Sequence, residues 1–247
     1  MSVAQPAEMT VRQRVGAWVF PRLPITRSLF DQLRLEANAM ATRASYLCLP
    51  WRRARLRAVR ATRDALVNVA CGPHVQPEFL NIDLFPCNAA VFGWDCRRSL
   101  PLETHTAAAV RAEHFVEHLD PREELPAFLA DARRALQPGG VLRIVVPDAE
   151  RYLRAYCNEE PEAFRQLGVP DPFPEDLPTR MDVVNHVFHQ WHEHRWAYDF
   201  ATLAHRLRSA GFARVERMSF RLSLDPRLAC DRDVHAPYSL YVDAVTP

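Results

Sequence analysis

Residues 66–84 read Leu-Val-Asn-Val-Ala-Cys-Gly-Pro-His-Val-Gln-Pro-Glu-Phe-Leu-Asn-Ile-Asp-Leu, and this stretch decides the fold. Leu66 to Ala70 is a short β-branched run that stops at Cys71-Gly72-Pro73, as a buried strand followed by a tight turn does. A second run, Phe79 to Leu84, follows after a gap too short for a long helix. The pattern puts a glycine turn at the end of one strand and Asp83 at the end of the next. In an open α/β sheet both ends lie on the carboxyl edge, where ligands bind. Glycine lets the backbone approach a ligand closely, and a carboxylate is a pair of acceptors suited to the two hydroxyls of a ribose. A third acid, Asp95 in Trp94-Asp95-Cys96, is suited to accept from an exocyclic amine.

Working outward, Ala107 to Arg111 fits a further core strand by position. Asp120-Pro121-Arg122-Glu123 combines a capping Asp, a Pro at the first helical position and a Glu at the third, the pattern of a capping box. Leu125, Phe128, Leu129, Ala132 and Leu136 then share one helical face, and Pro138-Gly139-Gly140 stops the helix. Val141 to Val146 is an apolar strand broken only by Arg143 and ending at Pro147-Asp148. Strand, helix, glycine turn and strand in this order are what a parallel sheet with crossover helices requires. Residues 151–198 lose that rhythm and read as an insertion after the fifth strand, covering the active edge. A helix from Asp199 to Ala210, ended by Gly211, and two strands, Phe212 to Leu222 and Tyr238 to Val245, close the chain. The fold class expected is α/β, a Rossmann-like doubly wound, mostly parallel seven-stranded sheet, carried by residues 64–247. Residues 1–63, interrupted by Pro21, Pro24 and Pro50, form a basic helical appendage.

Taken in order, the segments VNVACGPHVQPEFLNIDL, WDCRRSLPL, AEHFVEHL, LQPGGVLRIVVPD and HRWAYDFATLAHRLRSAGF resemble the class I S-adenosylmethionine-dependent methyltransferases, and especially a bacterial branch with a shortened first crossover. The resemblance implies that S-adenosyl-L-methionine is the cofactor. It places Ala70, Cys71 and Gly72 along the methionine end, Asp83 at the ribose, and Asp95 with the Cys96 backbone at the adenine. Residues 112–114, Glu113 and His114 among them, fall just past the fourth strand and beside the transferable methyl. The chain departs from the family in having one glycine in the turn and Asn68 in place of the usual acidic residue of the first strand. A dinucleotide-binding reading is disfavoured, because Gly-x-Gly-x-x-Gly is absent and Asp83 lies eleven residues past Gly72 rather than about 20.

The acceptor side is expected in the segment Asn185 to Arg195, which holds His186, His189, His192 and His194. Imidazole titrates near neutrality, so His186 and His194 are the candidate general bases, with His114 next. No Cys neighbours them and their spacing fits no zinc pattern, so no metal is expected. By resemblance the acceptor is an oxygen or nitrogen of a cell-envelope or extracellular saccharide or glycolipid. A small molecule of specialised metabolism, or a scaffold protein that keeps the fold without the chemistry, are the competing readings.

The charge is unevenly placed. The 247 residues carry a net charge of +1 with no Lys at all, yet residues 1–63 hold twelve Arg against Glu8, Asp31 and Glu36, a net of +9. Such an arm, with Trp18, Phe20 and Trp51 among the arginines, suits peripheral contact with an anionic membrane surface. The body is not basic and no nucleic-acid partner is expected. The six Cys form no CxxC pair, and Glu8, Arg12 and Arg14 stand where a secretory signal needs an apolar run. A cytoplasmic protein is expected.

Overall fold

The computed structural model describes residues 24–158 and 162–247. The described residues fall into two units that part between Ala41 and Thr42. Helix α1 (Arg27–Cys48) begins in the first, and helix α2 (Pro50–Ala61) lies in the second with Pro50 at the start of the helix, where its missing N–H has no intrahelical partner to lose. Residues 42–63 group with the sheet for a visible reason. Tyr46 is buried, stacks on Phe92 at 5.5 Å between ring centroids, and donates its hydroxyl to the Gly93 carbonyl at 2.8 Å.

Seven strands form the sheet: β1 (Ala65–Val69), β2 (Phe79–Asp83), β3 (Val91–Gly93), β4 (Ala107–Glu113), β5 (Leu136–Pro147), β6 (Arg214–Met218) and β7 (Ser239–Val245). Their order is β3-β2-β1-β4-β5-β7-β6, with β7 alone antiparallel to its neighbours. This is the doubly wound, mostly parallel, seven-stranded class expected from the sequence. The order reverses at β1, so the cleft between β1 and β4 is the switch point at which such sheets bind ligands.

The first crossover has no helix. Asn68 and Asn81, opposite each other on β1 and β2, bond side chain to side chain at 2.9 Å. Asn68 also donates to the His74 carbonyl, while Asn81 accepts from Gln76 N–H and donates to the Gln76 carbonyl. Two buried amides thus satisfy the backbone of residues 74–76 that a helix would otherwise satisfy itself.

Helix α3 (Glu124–Ala135) crosses from β4 to β5. Asp120 accepts from the N–H groups of Arg122 and Glu123, but the returning bond to Asp120 N–H comes from Glu124, not from the Glu123 that the sequence points to. Leu125, Phe128, Leu129 and Ala132 are buried as their spacing requires. The helix stops at Ala135, short of Pro138-Gly139-Gly140: Leu136 already pairs with Ala107 and opens β5, and the glycines absorb a register shift. Gly139 has φ +74°, and a Cβ on Gly140 would come within 2.9 Å of the Gln137 carbonyl.

The insertion leaves the end of β5 as α4 (Ala149–Cys157), a single turn α5 (Glu162–Arg165) and α6 (Arg180–His189), with its own small core of Tyr152, Phe164, Leu167, Val183 and Val184. Helix α7 (Phe200–Ser209) follows, capped by Asp199 accepting from Thr202 N–H at 2.7 Å and ended before Gly211 at φ +90°. No helix among the described residues is long and apolar enough to cross a membrane.

Candidate functional site

The carboxyl edge begins at the end of β1, where Ala70 takes φ +51° and Gly72 φ +52°. A left-handed Ala costs about 1–2 kcal/mol, so this turn is held by its surroundings. The holder is Asp83: Gly72 N–H donates to its Oδ2 at 2.9 Å and Phe85 N–H to its Oδ1 at 2.7 Å. Each oxygen keeps one lone-pair position for a ligand hydroxyl. A Cβ built on Gly72 meets nothing within 4 Å, which leaves open space in front of the turn. Cys71 is buried, and burial, with the nearby Asp83 charge, pushes its thiol up to about 11. It is therefore an uncharged wall and not a nucleophile at neutral pH.

The end of β3 differs from the sequence expectation. Both oxygens of Asp95 are occupied: Oδ1 accepts from Arg97 N–H and Nε, and Oδ2 from Arg97 Nη2 at 3.0 Å and Arg43 Nη2 at 2.6 Å. Those four bonds use the acceptor positions that an adenine amine would need. Burial alone would raise the Asp95 carboxyl, but Arg97 and Arg43 hold it below its usual range. Cys96 is buried beside it, and burial raises its thiol well above the ordinary value.

On β4, Ala112 and Glu113 are still strand residues, and His114, at φ +51°, is the first beyond it. Glu113 turns to the sheet face and accepts from Arg111 at 2.9 Å and from Arg232 N–H and His235 Nδ1 at 3.1 Å each. Burial works to raise its carboxyl; the His235 bond, the Arg111 charge and the Arg232 N–H outweigh it and hold the group at about 2. Three of its acceptor positions are thus taken inside the protein.

The three candidate histidines separate. His114 Nδ1 lies 3.1 Å from Glu117 Oε1, its Nε2 3.1 Å from Ser239 Oγ, and its ring 3.8 Å from that of His235. His194 is buried, with Nδ1 2.6 Å from the Val187 carbonyl and its ring 4.9 Å from that of His118. Glu117, His118 and His194 each offer a ligand atom within 4.8 Å of the others. His186 stands apart: its ring lies 5.6 Å from Trp191, its Nδ1 is buried without a partner, and no hydrogen bond joins it to Glu117 or His194. His189 and His192 are exposed. Sequence reading takes Glu117-His118, after the fourth strand, as a pair that fixes the turn and not as catalytic residues. Glu117-His118 does fix a turn, since the Glu117 carbonyl accepts from Arg195 and Trp196 N–H, but the carboxylate is fully enclosed, with His114 against Oε1 and Oε2 without a partner. A Glu-His pair directly past a central strand was the available signal.

No family model and no curated protein matches the sequence. Solved structures are similar over most of the chain. A SAM-dependent methyltransferase from Archaeoglobus fulgidus is 15% identical, with a TM-score of 0.46 over 85% of this chain and 94% of that one. A SAM-dependent methyltransferase from Thermotoga maritima, described as a possible histamine N-methyltransferase, is 16% identical, with a TM-score of 0.44 over 89% and 97%. The Burkholderia thailandensis 1,6-didemethyltoxoflavin-N1-methyltransferase, solved with its substrate and S-adenosylhomocysteine, is 13% identical, with a TM-score of 0.42 over 98% and 93%.

A second concavity, of about 360 Å³, lies against the end of β3 and is lined by Arg43, Tyr46, Arg53, Arg57, Arg60 and Trp94 among others. Arg53, Arg57 and Arg60 fall on one face of α2, and none has a carboxylate partner among the described residues.

Proposed function

We propose that the protein transfers a methyl group from S-adenosyl-L-methionine to an oxygen or nitrogen of an acceptor held under the insertion. The observation that carries this reading is the turn at residues 70–72, strained, open in front and bonded to a carboxylate with lone pairs to spare. The turn takes the methionine end of the cofactor and Asp83 the ribose. Asp95, with its oxygens occupied, holds the 94–97 loop in shape and leaves the adenine to the Cys96 backbone. The sulfonium is itself a good electrophile, so the chain's task is to align the acceptor, exclude water and take a proton from a hydroxyl. That proton falls to the cluster around Glu117, where burial lowers His194 and so keeps it neutral near pH 7.

The test is calorimetry with S-adenosylhomocysteine on the wild type and Asp83→Ala. Losing a charged acceptor of two hydroxyls is expected to weaken binding by about 1.5–3 kcal/mol. Unchanged affinity in a folded variant would remove the cofactor assignment.

The unpaired arginines of α2 beside Tyr46 and Trp94 support an anionic partner, as a phosphate-bearing saccharide, a glycolipid head group or an acidic membrane surface offers. Attachment through them weakens with salt. In co-sedimentation, vesicles containing phosphatidylserine are expected to retain the wild type and to lose the Arg53→Ser/Arg57→Ser/Arg60→Ser variant. Equal retention of the two proteins sinks this assignment.

A further inference from the structure

We propose that Glu117, His118 and His194 bind one divalent transition-metal ion of the zinc class, leaving a coordination position for an oxygen of the acceptor. The donor set comes first. Two imidazoles and a carboxylate are the ligands such ions take, and three protein ligands with an open position mark a site that handles substrate rather than a closed structural one.

The hydrogen bonds around the ligands fit the same purpose. His118 Nδ1 lies 3.0 Å from the Glu193 carbonyl and His194 Nδ1 2.6 Å from the Val187 carbonyl. A carbonyl only accepts, so each ring carries its proton on Nδ1 and turns the Nε2 lone pair away from the backbone. Fixing the far nitrogen on a carbonyl is how metal-binding histidines are oriented. His114 does the equivalent for the carboxylate, standing 3.1 Å from Glu117 Oε1.

Glu117 is also 2% exposed, and while His114 faces its Oε1, its Oε2 is buried without a partner. Tyr198, which lines the same tight pocket, also leaves a buried hydroxyl unpartnered. A buried carboxylate with an oxygen left bare is costly unless something positive sits against it. The backbone also spends energy on this arrangement. Gln190, Trp191 and His192 take φ of +36°, +54° and +78° in succession. Left-handed backbone is unfavourable for side-chain-bearing residues, and the reversal these three make brings His194 N–H to the His189 carbonyl and the ring inward. Tetrahedral coordination at about 2.0–2.1 Å asks for roughly 3.4 Å between ligand atoms, a short closure from the present spacing.

The expectation of no metal rested on spacing within residues 185–195. Two of the three ligands come from the turn after β4, some seventy-five residues earlier in the chain as the His118–Glu193 contact measures it. The ion's place in catalysis, lowering the pKa of an acceptor hydroxyl in place of a proton taken by His194, whose Nε2 lone pair it would occupy, rests on the methyl-transfer reading; metal binding itself does not.

The experiment is a titration of the EDTA-treated full chain with Co²⁺, followed by its visible d–d absorption and by displacement with Zn²⁺. One equivalent is expected to bind with the bands of a four- or five-coordinate ion. Glu117→Gln and His194→Ala are expected to lose at least about 100-fold in affinity, beyond the usual effect of altering only a supporting residue. His118→Ala, partly exposed and so safer for folding, is expected to do the same, while His192→Ala keeps wild-type binding. Absence of saturable d–d absorption, or undiminished binding in His118→Ala, overturns the site. Calorimetry with S-adenosylhomocysteine on the same samples reads the cofactor pocket separately: cofactor product bound without metal defeats this proposal alone, and metal bound without cofactor product defeats methyl transfer alone.

Discussion

The two faces of the sheet are built on different chemistry. One carries Val67, Val69, Ile82, Val110, Ala112, Leu142, Ile144, Val242 and Ala244, and the apolar sides of α3 and α7 cover it. On the other, a row of polar residues runs straight across the strands in register: Asn81 beside Asn68, Asn68 beside Arg111, Arg111 beside Arg143, and Arg143 beside Asp243. All five are buried. No helix crosses from β1 to β2 to cover that face, and the connection from β6 to β7 lies over it instead, with Leu228 packed on Ala109 and Val141. A loop brings backbone carbonyls and N–H groups against a sheet, and these need polar partners, whereas a helix keeps its own bonds internal. Arg143 answers that need fully. Its five N–H donors reach Asp231 twice, Asp243, and the carbonyls of Ser219 and Leu222.

The contrast is sharpest where the same side chain is placed on each face. Arg143→Met leaves two buried carboxylates without their cation and is expected to cost about 3–5 kcal/mol in urea unfolding. A loss under 1 kcal/mol would show the polar face to be as forgiving as the other. Second in size is the effect of acid. The Glu113 carboxyl is held at about 2 in the folded chain against an ordinary 4.5, so its contribution is complete above about pH 4.5 and is lost as pH falls toward 2. In urea midpoints at pH 6 and pH 2.5, the wild type is expected to lose more stability than Glu113→Gln, by on the order of 2 kcal/mol after allowing for solvent screening. Parallel curves for the two proteins would show that Glu113 holds no such charge pairing. The smallest effect belongs to the apolar face. Leu129→Met keeps volume and apolarity and is expected to cost less than about 1.5 kcal/mol.

What the sequence makes legible is local or periodic. The β-branched run ending at Gly72, the Asp199 cap, the Gly211 stop and the buried face of α3 each follow from neighbours within a turn or two. Asp83 was placed correctly at a strand end for the same reason. What stays hidden depends on partners distant in the chain. Nothing near Arg143 announces carboxylates 88 and 100 residues downstream, and nothing near Asp95 shows that Arg43, 52 residues upstream, closes its last acceptor position. The same distance hid the approach of His194 to Glu117 and made His186, in the same 185–195 segment, look equivalent to it. At shorter range the misses are competitions between near equals: Glu124 instead of Glu123 for the cap bond, and Leu136 taken by a strand partner before the helix reached its glycines.

Arg143 leaves the ribosome long before either of its carboxylates. At about 5–20 residues per second, the 100 residues to Asp243 take on the order of 5–20 s to emerge. Through that interval the helix-covered face has α3 to close over it, while the opposite face holds Arg111 and Arg143 open to water and to whatever anions the cell offers. Chains stalled before Ser219 are expected to be cleaved by protease on that face while α3 stays protected, and equal protection of both would contradict the order. Residues 219–247 thus close the polar face last, and a chain that stops before them leaves Arg143 without the carboxylates of Asp231 and Asp243.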